Sequence, residues 1–131
     1  MAPPRTEPER KVTGVMGNKI VHIDFIGSNR KELAEWYTGL FAWDLTNYDE
    51  MDYSIFASAE GMGGGFMTDE EKKSGVLPYI SVSDIQGKID EIVAKGGTEK
   101  VPVTAMEMVT FAICTDPFGN DIGLVLDPDN A

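Results

Sequence analysis

The sequence makes the same local statement twice. Residues 19–26, Lys-Ile-Val-His-Ile-Asp-Phe-Ile, are β-rich with apolar side chains at alternate positions, and they run into Gly27-Ser28-Asn29. Residues 76–82, Val-Leu-Pro-Tyr-Ile-Ser-Val, do the same before Ser83-Asp84. Such alternation marks a strand with one buried face, and a Ser, Asn or Asp after it marks a helix start. A single offset lays Ser28-Asn29 on Ser83-Asp84, Phe25 on Ile80 and Asp24 on Tyr79. A chain that repeats in this way is constrained to two similar units packed on one another.

The first unit reads on from its capping pair. Glu32 stands three residues after Asn29, the spacing of a capping box. The helix is predicted to bury Leu33, Trp36, Tyr37 and Leu40, an i, i+3, i+4, i+7 stripe, with Gly39 helping to end it. On that phase Trp36 fills the helix–sheet core. Strands are expected near 42–48, 52–58 and 63–67, parted by turns at Asp49-Glu50 and Glu60-Gly61. In the second unit the helix turns Ile85, Ile89, Ile92 and Val93 inward and stops at Gly96-Gly97, where a left-handed cap costs little. Strands near 98–103, 107–114 and 121–126 complete it. The expected class is α+β, with two tandem βαβββ units at about 17–68 and 75–127. Their strands form a curled mixed sheet around a shared cavity, and the helices cover the outer faces.

A length of 131 residues suits one domain with a core of its own. Pro3-Pro4, Pro8 and the charges between Arg5 and Lys11 set residues 1–16 apart as an extended arm, leaving 17–131 as the domain. The arm lacks the apolar stretch of a signal peptide, and no apolar run reaches the ~18–20 residues that span a bilayer. A net charge of −11 repels phosphate backbones and anionic lipid, so neither nucleic acid nor membrane is an expected partner. The same acidity suits solubility and would attract a cationic ligand. The lone Cys114 excludes an internal disulfide and fits a reducing compartment, the cytoplasm. With no basic neighbour in sequence, nothing activates its thiol. Gly61, Gly63, Gly64 and Gly65 lack the Lys-Ser/Thr and the strand-to-helix setting of a phosphate loop. They suit a strand that bends or approaches another backbone closely.

Near the C-terminus, Asp116-Pro117-Phe118-Gly119-Asn120-Asp121-Ile122-Gly123-Leu124 reads as a strand end, a tight Asp-Pro-x-Gly turn and a second strand. Ile122, Leu124 and Leu126 alternate along that strand. The string resembles the closing hairpin of the vicinal oxygen chelate superfamily, which includes glyoxalase I, extradiol dioxygenases and bleomycin-resistance proteins. Glu35-Trp36-Tyr37-Thr38-Gly39-Leu40-Phe41-Ala42-Trp43 is similar to its first helix and exit. Gly63-Gly64-Gly65-Phe66-Met67 resembles the fourth strand of a glyoxalase-like subgroup. The resemblance spans roughly 17–127 and implies the paired fold already reached. Metal-using members place one ligand on each of four strands. By this resemblance His22 holds the first position, and Leu77, or Pro78 with the register slipped by one, holds the partner position. Gly65 and Gly123 hold the other two, Gly123 standing where those members carry a glutamate. One donor in four cannot hold a divalent ion tightly, so neither a metal nor another cofactor is expected.

His22 is the only histidine. With Ile23 and Phe25 toward the helix, alternation turns His22 and Asp24 to the cavity, and the repeat brings Tyr79 and Ser81 to the same face. Met67, Met106 and Met108 have the adaptable side chains found both in cores and in permissive pockets. The candidate ligand-binding set is His22, Asp24, Met67, Tyr79, Ser81 and Met108. Three roles are open to His22: a bonded residue of the cavity wall, a ligand contact, or a general base beside a carboxylate. The resemblance implies a metal-free protein that binds a small apolar or cationic molecule. The alternative is a lyase, isomerase or hydrolase that uses His22 as base or an unconventional metal site. Open strand edges and the superfamily's habit point to a homodimer, with the arm along the domain or across the partner.

Overall fold

The computed structural model describes residues 16–127, so the expected arm lies outside the described residues except for Met16. The first unit runs β1 (Ile20–Gly27), α1 (Arg30–Phe41), β2 (Asp44–Tyr48), a 3-10 turn (Asp49–Met51), β3 (Tyr53–Ala57) and β4 (Gly64–Thr68). The second runs β5 (Ser74–Val82), α2 (Ile85–Ala94), β6 (Thr98–Ala105), β7 (Thr110–Thr115) and β8 (Asp121–Leu126). The α+β class with two βαβββ units is therefore the observed one. All eight strands join one mixed sheet in the order β2-β3-β4-β1-β5-β8-β7-β6. β1 and β5 meet antiparallel at its centre, while β1 pairs parallel with β4 and β5 parallel with β8. The second unit thus repeats the pairing of the first. Among the described residues no helix is long and apolar enough to cross a membrane.

Each helix begins where a side chain takes up an orphan amide. Asn29 accepts from the Glu32 amide at 3.1 Å, and Asp84 accepts from the Gly87 amide at 3.0 Å. α1 does not stop at Gly39. It continues to Phe41, and Ala42 takes the left-handed conformation at φ 60°, its amide reaching back to the Thr38 carbonyl. After α2 the left-handed position falls on Gly96, at φ 100°. β7 starts later than the sequence suggests, because the Met106 amide bonds the Val109 carbonyl and closes a turn there.

Two apolar clusters form on the helix side of the sheet, one under each helix. Between α2 and the sheet cluster Val82, Ile85, Ile89, Ala112, Cys114 and Leu124, with Ile92, Ile122 and Leu126 packed against them. Val93 falls on the solvent flank of the narrow stripe. Between α1 and the sheet cluster Ala34, Phe56 and Phe66, with Phe25, Leu33, Tyr37 and Trp43 around them.

The phase of α1 differs from the expected one. Its inward line is Arg30, Leu33, Ala34 and Tyr37, the same spacing moved one turn toward the N-terminus, which leaves Trp36 60% and Leu40 61% exposed. The cause is Arg30, a residue that apolar periodicity does not count. It is only 4% exposed. Its guanidinium donates to Ser54 Oγ at 2.6 Å, Asp49 Oδ1 at 2.9 Å and Asp52 Oδ1 at 2.9 Å. The Asp49 and Asp52 hydrogen bonds hold Arg30 above its usual range, against the pull of burial. A planar fork answered on several sides can replace an apolar anchor. The core role assigned to Trp36 is thereby corrected. Trp36→Ala should change stability in urea by no more than about 1 kcal/mol, the scale of a surface change that loses one edge contact with Tyr37.

Candidate functional site

Opposite the helices, register decides which side chains meet. β1–β4 pairing sets Asp24 beside Gly65, and β5–β8 pairing sets Tyr79 beside Gly123. β1–β5 pairing sets His22 beside Tyr79, after a bulge between Ile20 and His22. β3 adds Tyr53, since Ile55 lies opposite Gly65 and alternation returns the face two residues earlier.

These strands deliver four polar groups to one point. His22 Nε2 lies 2.9 Å from Asp24 Oδ1 and 2.8 Å from the Tyr53 hydroxyl, which itself donates to Asp24 Oδ1 at 2.6 Å. The Tyr79 ring meets the His22 ring edge-on at 5.3 Å. Asp24 is 2% exposed, whereas the His22 side chain keeps 31% of its surface. Burial, followed by the nearby Asp24 charge, pushes both phenols far above their ordinary range. Both tyrosines therefore stay neutral.

The two glycines explain how the rings fit. A Cβ on Gly65 would overlap the Tyr53 hydroxyl and ring and would lie 2.7 Å from Asp24 Oδ1. A Cβ on Gly123 would overlap the Tyr79 ring. The volume that a ligating side chain would need at either position is already filled by tyrosine. Leu77, at the partner position of His22, is buried and apolar. Among the described residues no three His, Cys, Asp or Glu side chains are grouped to hold a metal ion. The donor set present does not fit a divalent ion of the family type.

The six residues singled out from sequence fall into two places. His22, Asp24 and Tyr79 join the cluster. Met67 lies across from Tyr53 and shares the Gly65 face by alternation. Ser81 and Met108 line a separate cleft of about 560 Å³, together with Lys19, Met106, Val109 and Val125. Ser81 and Val125 form the next rung after Tyr79 and Gly123, about 7 Å along the strands, so cluster and cleft adjoin on one face. Met108 reaches the cleft from the turn after β6, not from a strand. Tyr53 was missed; the alternation of Tyr53 and Ile55 against Ser54 and Phe56 was the available signal. Cys114 is fully buried, and burial, with the Glu99 charge, pushes its thiol up.

The fold has known counterparts. A hypothetical protein from Bacillus halodurans C-125 is similar at a TM-score of 0.65 and 15% identity, over 88% of this chain and 99% of that one. Methylmalonyl-CoA epimerase from Mycobacterium tuberculosis is similar at 0.60 and 15% identity, over 84% and 89% of the two chains. A glyoxalase/bleomycin resistance protein/dioxygenase superfamily member from Vibrio splendidus 12B01 is similar at 0.60 and 12% identity, over 85% and 100%. At such identities the likeness is one of fold. No curated protein matches the sequence significantly. Residues 19–124 match the sequence profile of one family across both units, and the chain belongs to the Glyoxalase/Bleomycin resistance protein/Dioxygenase superfamily.

Proposed function

We propose that the chain binds a small apolar or cationic molecule on the sheet face opposite the helices, without a metal. One observation carries this reading: tyrosine fills the space of the family's ligating side chains, and a cleft of about 560 Å³ adjoins it. That volume lies within the ~300–1,000 Å³ of ordinary small-molecule sites. Met106, Met108, Val109 and Val125 supply an apolar wall, and Glu107 adds an acidic rim to a chain of net charge −11. Protein purified without chelator should contain well under one divalent ion per chain by elemental analysis. Its melting temperature should rise with an apolar or cationic compound, since a ligand at 100 times its Kd adds about 2.7 kcal/mol. One bound metal per chain would overturn the reading, as would a flat screen across hydrophobic metabolites and cationic antibiotics.

A second reading, a lyase, isomerase or hydrolase with His22 as base, is favoured by the His22–Asp24 contact. A carboxylate that holds one imidazole nitrogen leaves the other to take a proton. It differs from the first in requiring turnover that His22→Gln abolishes while ligand still raises the melting temperature.

We also place the protein in the cytoplasm as a homodimer, away from nucleic acid and membrane. The single buried Cys114 and the acidity support the location and the exclusions. Trp36, Leu40 and Phe41, all exposed on or at the end of α1, support a self-complementary face, since closed two-fold pairs are the commonest assemblies. Leu40→Glu should convert a dimer seen by light scattering into a folded monomer; a parent that is monomeric at every concentration would remove this proposal.

A further inference from the structure

We infer that Asp24, Tyr53 and Tyr79 hold His22 in its Nε2–H tautomer and thereby present Nδ1 as a fixed hydrogen-bond acceptor, selecting ligands that carry an N–H or O–H donor. The inference deepens the binding proposal above and rests on it for the ligand, though not for the tautomer.

The protons of the cluster can be counted. A phenol has one to give, and Tyr53 spends it on Asp24 Oδ1, the shorter of its two contacts at 2.6 Å against 2.8 Å to His22 Nε2. His22 Nε2 then faces only acceptors, the Tyr53 oxygen at 2.8 Å and Asp24 Oδ1 at 2.9 Å. A bare ring nitrogen there would set lone pair against lone pair in a half-buried place. Protonated, it satisfies both oxygens by a shared hydrogen bond. With the Tyr53 phenol and the imidazole N–H directed at it, Asp24 Oδ1 is met by two donors.

The other nitrogen is open. Among the described residues none bonds His22 Nδ1, and the side chain keeps 31% of its surface while Asp24 is buried and the two tyrosines are half-buried. The Tyr79 ring, edge-on at 82°, limits rotation of the imidazole. The result is a lone pair of fixed direction beside the methionine-lined cleft. An amine, amide N–H or alcohol on an apolar body satisfies it; a carboxylate or ketone opposes it with another lone pair. Of the four, Tyr53, Tyr79 and Asp24 act as positioning residues and His22 alone touches the ligand, whose apolar body lies against the cleft wall.

The chain has one histidine, so its ring spectrum needs no assignment. Full-length protein carrying nitrogen-15 histidine is examined at pH 8 by two-bond nitrogen–proton correlation, which tells the two ring nitrogens apart. The expected spectrum shows a protonated Nε2 and a bare Nδ1, in at least about tenfold excess over the other tautomer. Asp24→Asn, whose amide can donate to Nε2, should reverse the ratio; Tyr53→Phe, a milder change that keeps the ring, should reduce it. A parent with Nδ1–H, an even mixture or an imidazolium overturns the assignment. Benzylamine, benzyl alcohol and benzoate then probe the ligand class through the melting temperature. The amine and alcohol should raise it, in a way lost in His22→Ala, and benzoate should not. Benzoate stabilising as well as benzylamine overturns the donor selectivity. No shift with any of the three overturns the binding proposal while the tautomer result stands.

Discussion

Phe66→Ala should destabilise the protein by about 3–5 kcal/mol, with an unchanged dependence on urea. Phe66 is fully buried on β4, between the sheet and α1. Its ring centroid lies 5.1 Å from that of Phe56, 5.7 Å from Tyr37 and 5.8 Å from Phe25. The ring across the gap cannot follow it inward, because Phe56 is stacked at 4.4 Å on Trp43. Truncation therefore leaves a cavity instead of a collapsed core, which is the costly outcome. Urea titration followed by circular dichroism measures it. A loss under about 1 kcal/mol would mean that this aromatic layer is not packed as described. Trp36→Ala separates the observed helix phase from the expected one, since only the expected phase assigns that residue a large loss.

That contrast shows where local reasoning reached its limit. Capping by Asn29 and Asp84 is legible because a cap is satisfied within a few residues of itself. The alternation of Ile122, Leu124 and Leu126 is legible because one face of β8 meets one cluster. The phase of α1 is not, because Arg30 is buried by partners from residues 47 to 54, well beyond any local window. The candidate site divides the same way. His22 and Asp24 sit on one strand, so alternation alone places them together, and the repeat adds Tyr79. Tyr53 arrives through the β3–β4 register. Sequence can say that Gly65 and Gly123 bring no donor; it cannot say what fills the space.

Gly65→Ala tests that filling. Its Cβ would overlap the Tyr53 hydroxyl and ring carbon and crowd Asp24, all held in a buried network with no flexible end to yield. A cost of about 3 kcal/mol is expected, the upper part of the range for overpacking, together with loss of the Nε2–H signature of His22. Tyr53→Ala removes the obstructing ring and is itself costly, because Asp24 loses a donor and a cavity opens. If the ring is what excludes a side chain at 65, the double variant should cost little more than Tyr53→Ala alone, a coupling of about 2 kcal/mol. Gly39→Ala supplies the control. It is helical with nothing within 4 Å of its added Cβ, so it should stabilise by about 0.5–1 kcal/mol. Additive losses at 65 and 53 would show that the crowding comes from elsewhere, and the case against a ligating side chain at this position would then rest on sequence alone. Strong coupling would show that a strand glycine and a tyrosine from the neighbouring strand together hold the volume in which this superfamily's metal-using members keep a ligand.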